Sequence, residues 1–170
     1  MRPQLIFKAI FFTFLIPGVV TIFVPFLILG DLFIQQWPEL SVLKVFVAFI
    51  GVIAGGILLH CIWGFAFYGK GTLAPIHPPE NLVVRGFYTY TRNPMYLAVL
   101  VVLLTETIFF QSLSLLIYTA IVLLGFHMFV RFYEEPHLKN QFGEQYLEYC
   151  RMVPRWGITI HSFNNIGSAT

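Results

Sequence analysis

Hydrophobic residues fall in four long runs, separated by segments that carry most of the polar residues. The runs cover residues 5–30, 42–68, 94–110 and 115–132. A helix of roughly 17–25 apolar residues crosses a hydrocarbon core about 30 Å thick, so each run predicts a transmembrane helix. Only a short turn separates the last two runs, which predicts a tightly coupled hairpin. We therefore expect an all-α integral membrane protein with about four transmembrane helices, forming a single domain.

Two polar segments flank the hairpin, a loop over residues 69–93 and a tail over residues 134–160. In the tail, apolar side chains recur at helical spacing, at Leu138, Phe142, Tyr146 and Tyr149. This pattern predicts a C-terminal amphipathic helix lying on the membrane surface.

Prolines and glycines mark special positions inside the apolar runs. Pro17 and Pro25 each remove a backbone donor and predict kinks in the first span. In the second span Gly51 and Gly55 have the GxxxG spacing that permits close approach of another helix. Pro136 follows the fourth run and is expected to stop that helix.

Composition supports a membrane protein. Hydrophobic residues make up 58% of the chain and charged residues only 11%, whereas a soluble domain carries roughly a quarter charged residues. The net charge of +2 gives no reason to expect a nucleic-acid partner. The two cysteines do not form a disulfide framework, and neither metal-ligand spacing nor a GxGxxG motif is present.

The distribution of basic residues predicts the orientation of the chain. They concentrate at the N-terminus, in the long loop and in the tail, at Arg2, Lys8, Lys70, Arg85, Arg92, Arg131, Lys139, Arg151 and Arg155. By the positive-inside rule both termini and the long loop lie in the cytoplasm. The two polar segments are thereby expected on one face.

Candidate chemistry lies in residues 82–96 (LVVRGFYTYTRNPMY) and 131–136 (RFYEEP). At about 100° per residue, one helix face would present His127, Arg131, Glu134 and Glu135. Two interpretations remain open from the residues alone. The charges could be anchors at the membrane boundary, with Arg131 snorkelling or pairing with a neighbouring glutamate, or they could bind a ligand.

The same segments resemble a known family. GTLAPIHPPENLVVRGFYTYTRNPMY and RFYEEPHLKNQFGEQYLEYCRMVPRW are similar to blocks of the isoprenylcysteine carboxyl methyltransferase and phospholipid methyltransferase group of membrane enzymes. The resemblance covers about residues 71–156. Its RNPxY block matches Arg92, Asn93, Pro94 and Tyr96, and its EExxLxxxFGxxYxxY block matches Glu134, Glu135, Leu138, Phe142, Gly143, Tyr146 and Tyr149.

The resemblance implies S-adenosylmethionine as the cofactor, bound between these blocks at the cytoplasmic face, and an acceptor taken from the membrane. The predicted cofactor-binding residues are Tyr88, Arg92, Asn93, Pro94, Tyr96, His127, Glu134 and Glu135. Two departures concern the acceptor: Asn93 replaces the histidine of eukaryotic isoprenylcysteine enzymes, and Phe87 and Thr89 replace a proline and an arginine of many prokaryotic relatives. We expect the prokaryotic cytoplasmic membrane as the location.

The acceptor is the most open part of the prediction. A carboxylate is already ionised at neutral pH and needs no general base, and no obvious base is present, although His127 is a candidate. We therefore expect a hydrophobic, isoprenylcysteine-like carboxylate, oriented by Arg131 as the catalytic residue through a bidentate contact. The alternatives are a phospholipid amine or small-thiol methyltransferase, or a non-catalytic small membrane protein.

Overall fold

A computed structural model of the chain describes residues 16–30, 41–68, 82 and 84–159. Parts of the predicted first span, the long loop and the tail lie outside these residues. The described residues contain helices and turns but no strand. The helices are α1 (Ile16–Leu29), α2 (Val42–Tyr68), α3 (Pro94–Phe110), α4 (Leu113–Phe129), α5 (Glu135–Phe142) and α6 (Glu144–Met152).

Helix α3 is the centre of the bundle. It packs along α2 on one side and against α4 on the other. The main core lies at these contacts and contains Leu58, Ile62, Ala98, Val99 and Leu103, of which Leu103 is only 1% exposed. Helix α1 packs across α3 and α4, where the hydroxyl of Tyr118 donates to the carbonyl of Val20 at 3.0 Å.

Two helices contain a π-turn immediately before a proline. In α1 the π-turn Val19–Phe23 precedes Pro25, and the π-turn Val130–Glu134 joins α4 to α5 and precedes Pro136. Proline lacks an N–H and its ring collides with the carbonyl four residues earlier. A wider turn relieves this conflict and lets the helix continue. The expectation that Pro136 stops the helix was therefore wrong, because the helix continues to Phe142.

The close approach predicted from the GxxxG spacing occurs at one of its two glycines. A Cβ atom built on Gly51 would lie 2.8 Å from Oγ1 of Thr105 on α3, whereas a Cβ on Gly55 meets nothing within 4 Å. Gly51 therefore lets the two backbones approach, while Gly55 lies at an open position.

The surface of the bundle is strongly apolar. Helix α2 and the continuous helix Leu113–Phe142 are both long and apolar enough to cross a membrane, and α3 and Ile16–Leu29 are shorter apolar helices. Large exposed side chains on α2 include Phe46, Phe49 and Trp63. A surface with this many exposed apolar side chains is stable in contact with lipid. The all-α membrane class is confirmed, and the count of four spans stays a prediction.

The tail forms two helices. Gly143 has φ +54°, a backbone conformation that favours glycine, and it separates α5 from α6. Tyr146 and Tyr149 are buried with Val153, and Leu82 and Val84 from the preceding loop pack on them. The predicted apolar face of the tail thus packs on the protein's own loop.

The contact at Gly51 predicts an asymmetric response to alanine. Gly51→Ala forces its methyl group against the Thr105 hydroxyl, which is itself held by the Val102 carbonyl at 2.6 Å. We expect a loss of about 1–3 kcal/mol in stability, typical of overpacking, measured by thermal unfolding in detergent.

Gly55→Ala is the matched control, because alanine favours a helix over glycine by about 1 kcal/mol and the position is open. The double variant Gly51→Ala with Thr105→Ala removes the obstructing hydroxyl and should recover most of the loss. Equal melting temperatures for the two single variants would contradict the packing described here.

Candidate functional site

The candidate site begins where the long loop enters α3. Asn93 is the N-cap residue of α3 and Pro94 occupies its first turn, where the missing N–H costs nothing. The Asn93 side chain makes no capping bond. Instead its amide donates to the backbone carbonyl of Arg155 at 3.0 Å, and the residue is only 6% exposed. The start of α3 is thus tied to the end of the tail.

The first turn of α3 meets the π-turn between α4 and α5. The Tyr96 hydroxyl donates to Oε2 of Glu134 at 2.9 Å, across 38 residues of sequence. The Tyr96 ring also packs on Phe126, with centroids 4.6 Å apart. Burial raises the pKa of Tyr88 well above its usual value, and the nearby Cys61, Glu134, Tyr149 and Tyr96 raise it further. Tyr88 therefore remains a neutral phenol beside the Glu134 carboxylate.

Glu135 points to a different set of partners. Its Oε1 accepts from Nε of Arg155 at 2.7 Å, its Oε2 accepts from Nη2 of the same residue at 2.5 Å, and Nη1 of Arg92 lies 3.0 Å from Oε1. Nη1 of Arg92 also donates to the thiol of Cys150. The hydrogen bonds that Arg155 donates to Glu135 raise the pKa of Arg155, so the guanidinium stays charged.

The two adjacent carboxylates differ in their capacity to accept further hydrogen bonds. A carboxylate oxygen accepts about two. Oε1 of Glu135 accepts from Arg155 and also lies 3.0 Å from Nη1 of Arg92, and Oε2 accepts from Arg155. Among the described residues nothing bonds to Oε1 of Glu134, and its Oε2 accepts only from Tyr96. Glu134 is therefore the carboxylate that is open to a ligand.

One buried donor in the cluster lacks a partner. Nε of Arg92 is buried and makes no hydrogen bond within the described part of the chain. A buried donor left unpaired costs about 1–3 kcal/mol, which a ligand acceptor at this position would recover.

His127 joins the cluster through the tail. Its Nδ1 accepts from the indole N–H of Trp156 at 3.1 Å, and the two rings stack with centroids 6.2 Å apart. A neutral imidazole that accepts at Nδ1 carries its proton on Nε2. His127 is thus set up as a hydrogen-bond donor at Nε2, which does not favour the general-base role considered above.

Arg131 does not join the cluster. Its side chain is exposed, its guanidinium lies 5.7 Å from the centroid of the Phe132 ring, and it makes no ion pair with any described residue. The π-turn explains this, because a turn hydrogen-bonded i→i+5 rotates less per residue than an α-helix. Val130 and Glu134 thereby face the bundle, and Arg131 faces outward. Arg131 thus makes no ion pair with the described residues of the cluster, and its catalytic role stays a prediction.

The segment that completes the site is the C-terminal strap, residues 153–159. It is held along the loop by three hydrogen bonds, from the Arg92 N–H to the Pro154 carbonyl, from the Asn93 amide to the Arg155 carbonyl and from the Thr159 N–H to the Tyr90 carbonyl. Tyr149, just before it, donates to the Tyr88 carbonyl at 2.7 Å.

Three contributors were not identified from the sequence: Cys150, Arg155 and Trp156. The basic charge of Arg155 was assigned to membrane orientation alone. The sequence signal was Pro154, which follows the tail helix and is itself followed directly by Arg155 and Trp156.

No group of three or more potential metal ligands occurs within the ranges that the structure describes.

Comparison with known proteins identifies a family. Neither a curated protein nor a solved structure shows a significant match to the chain. The family described as phospholipid methyltransferase matches residues 43–145, more than half of the 170 residues. The match includes the start of α3, the π-turn and both glutamates, and it confirms the family resemblance. The chain belongs to the phospholipid methyltransferase family of membrane methyltransferases.

Proposed function

We propose that the protein transfers a methyl group from S-adenosylmethionine to a lipid-like acceptor at the cytoplasmic face of a prokaryotic membrane. The observation that carries the proposal is the contact of Tyr96 with Glu134, which closes the two matched blocks on each other at 2.9 Å. The positive-inside pattern supports the cytoplasmic side.

The polar groups of the site suit the methyl donor. S-adenosylmethionine contains an ammonium and hydroxyls that donate hydrogen bonds, and a carboxylate that accepts them. Glu134 has open acceptor sites for the first two, and Arg92 has an unpaired donor at Nε for the third. The donor, when bound, supplies an electrophilic methyl group on a positively charged sulfonium.

The protein's own contribution is to bind, orient and exclude water. The carboxylate of Glu134 accepts from the Tyr96 hydroxyl and acts electrostatically on the phenol of Tyr88, in a setting where electrostatic interactions are stronger than in water. Aligning two reactants in such a site accounts for much of the rate of a displacement reaction. The outer faces of α2 and α4 are apolar and suited to lipid, which places the site next to the bilayer that would contain the acceptor.

A carboxylate acceptor is the first candidate. It is ionised at neutral pH and needs no proton removed. The imidazole of His127 accepts the Trp156 N–H at Nδ1, so that lone pair is engaged. An acceptor that needs no imidazole base suits this arrangement.

An amine acceptor is the second candidate, and one observation favours it. The open oxygen of Glu134 is a suitable partner for an ammonium group, because a carboxylate accepts charge-assisted hydrogen bonds from a cation. The two candidate acceptors are distinguished by supplying the purified protein with labelled methyl donor and either a prenylcysteine or phosphatidylethanolamine. The acceptor that gains the label identifies the reaction.

The first prediction concerns donor binding. Glu134→Gln removes the charge but keeps the shape, and the loss of a charged hydrogen bond should raise the Kd for S-adenosylmethionine about 10- to 100-fold in calorimetry. Glu148→Gln is the matched control, because that carboxylate is exposed on α6. Asn93→Ala should also weaken binding, since it releases the strap at the Arg155 carbonyl.

Unchanged donor affinity in Glu134→Gln would remove this carboxylate from the site. A wild-type protein that is folded but does not bind the donor at all would instead favour the non-catalytic alternative.

The second prediction tests Arg131. Because its side chain is exposed and unpaired among the described residues, Arg131→Lys should retain turnover within about twofold, as expected for a surface position. A large fall in turnover with intact donor binding would instead indicate that the guanidinium of Arg131 orients the acceptor.

The third prediction concerns orientation. In a background with both cysteines changed to serine, Leu113→Cys lies at the exposed first residue of α4, and Glu148→Cys lies in the tail. A membrane-impermeant maleimide added to sealed cells should label the first and reach the second only after permeabilisation. The reverse pattern would place the site outside.

A further inference from the structure

Two consecutive residues of the C-terminal strap contact the helix on both sides of the π-turn Val130–Glu134. Trp156 donates to His127, which precedes the turn, and Arg155 forms its bidentate pair with Glu135, which follows it. The strap thus holds the helix at two points eight residues apart in sequence, with Glu134 between them.

The π-turn determines where Glu134 points. It brings Glu134 to the face that also carries the buried Val130, and there the carboxylate meets Tyr96. Such turns are rare and contain wider, less regular hydrogen bonding than an α-helix. Here the Glu135 N–H bonds to the Val130 carbonyl, and Pro136 has no N–H to offer. External contacts that hold both ends therefore favour one geometry over a relaxed helix.

We propose that Arg155 and Trp156 are positioning residues that clamp the π-turn and so hold Glu134 in the orientation that binds the methyl donor. The donor contact of Glu134 rests on the proposed function, whereas the clamp itself rests on the contacts above. Neither residue is required to touch the donor or the acceptor.

Simple docking of the strap does not require these polar contacts. Tyr149 and Val153 are 3% and 1% exposed and already anchor the tail in its own apolar cluster. A partly buried ion pair adds little net stability, because the cost of removing both charges from water offsets their attraction. What a bidentate pair does provide is a fixed geometry.

The experiment compares Arg155→Ala, Arg155→Lys and Trp156→Phe with the control Arg151→Ala. Arg151 is exposed in the last turn of α6 and carries the same charge. Trp156→Phe retains an aromatic ring but loses the N–H donor and the second ring of the indole, so it removes the hydrogen bond to His127 together with part of the stacking. The readouts are amide hydrogen exchange of the peptide covering residues 127–138 and the KM and kcat for the methyl donor.

A clamp predicts about tenfold faster exchange of this peptide in Arg155→Ala, from the loss of a charge-assisted pair. It also predicts a KM for the donor about tenfold higher, with kcat much less affected. Arg155→Lys should recover part of both effects, since it restores the charge without the planar fork. Trp156→Phe should show the same changes to a smaller extent, and Arg151→Ala should match the wild type.

Wild-type exchange and KM in both Arg155→Ala and Trp156→Phe would overturn the inference. A lower melting temperature with unchanged KM and exchange at 127–138 would overturn it too, because the strap would then be structural only. If the wild type does not bind the donor but exchange responds as expected, the clamp stands and the proposed function fails.

Discussion

The Glu135 carboxylate, shared between two arginines, is the interaction on which the site depends. Arg92 comes from the loop before α3, Glu135 from α5 and Arg155 from the strap. Glu135 and Arg92 are 15% and 12% exposed, so each charge has left most of its water behind. Such charges are tolerated only when they are paired. Removing Glu135 would leave both arginines without their shared carboxylate, so the three segments must dock together for this cluster to form.

The site lies at two positions where a proline determines the local backbone of a helix. Pro94 pre-sets the first turn of α3, where its missing N–H is one that would have no partner in any case. Pro136 acts within a continuous helix, where the missing N–H is accommodated by the π-turn. Tyr96 lies in the turn created by the first proline and Glu134 in the turn forced by the second. Their hydrogen bond therefore depends on the backbone constraints at Pro94 and Pro136, which lie about forty residues apart in sequence.

The sequence predicted what depends on periodicity and missed what depends on backbone groups. Apolar runs indicated the helical class, and helices α2 and α3 have the predicted bounds. Arg131 was placed on the face of Glu134 because an ideal phase of about 100° per residue was assumed, and the π-turn breaks that phase. Arg155 was missed because its carbonyl and its guanidinium act together across 62 and 20 residues. The pattern of side chains in a sequence does not indicate which backbone carbonyls accept hydrogen bonds.

The adjacent glutamates show why a pair at consecutive positions need not act as a pair. Neighbouring residues on a helix point about 100° apart, so two such carboxylates cannot both face one small ligand. Here Glu134 faces the bundle and accepts only from Tyr96 among the described residues, while Glu135 accepts twice from Arg155 and is also paired with Arg92. Within the described part of the site, a positively charged ligand is attracted to Glu134 rather than to Glu135, because the two arginines more than neutralise Glu135. Because Glu135 is paired with the arginines, Glu134 is the carboxylate that remains available to a ligand.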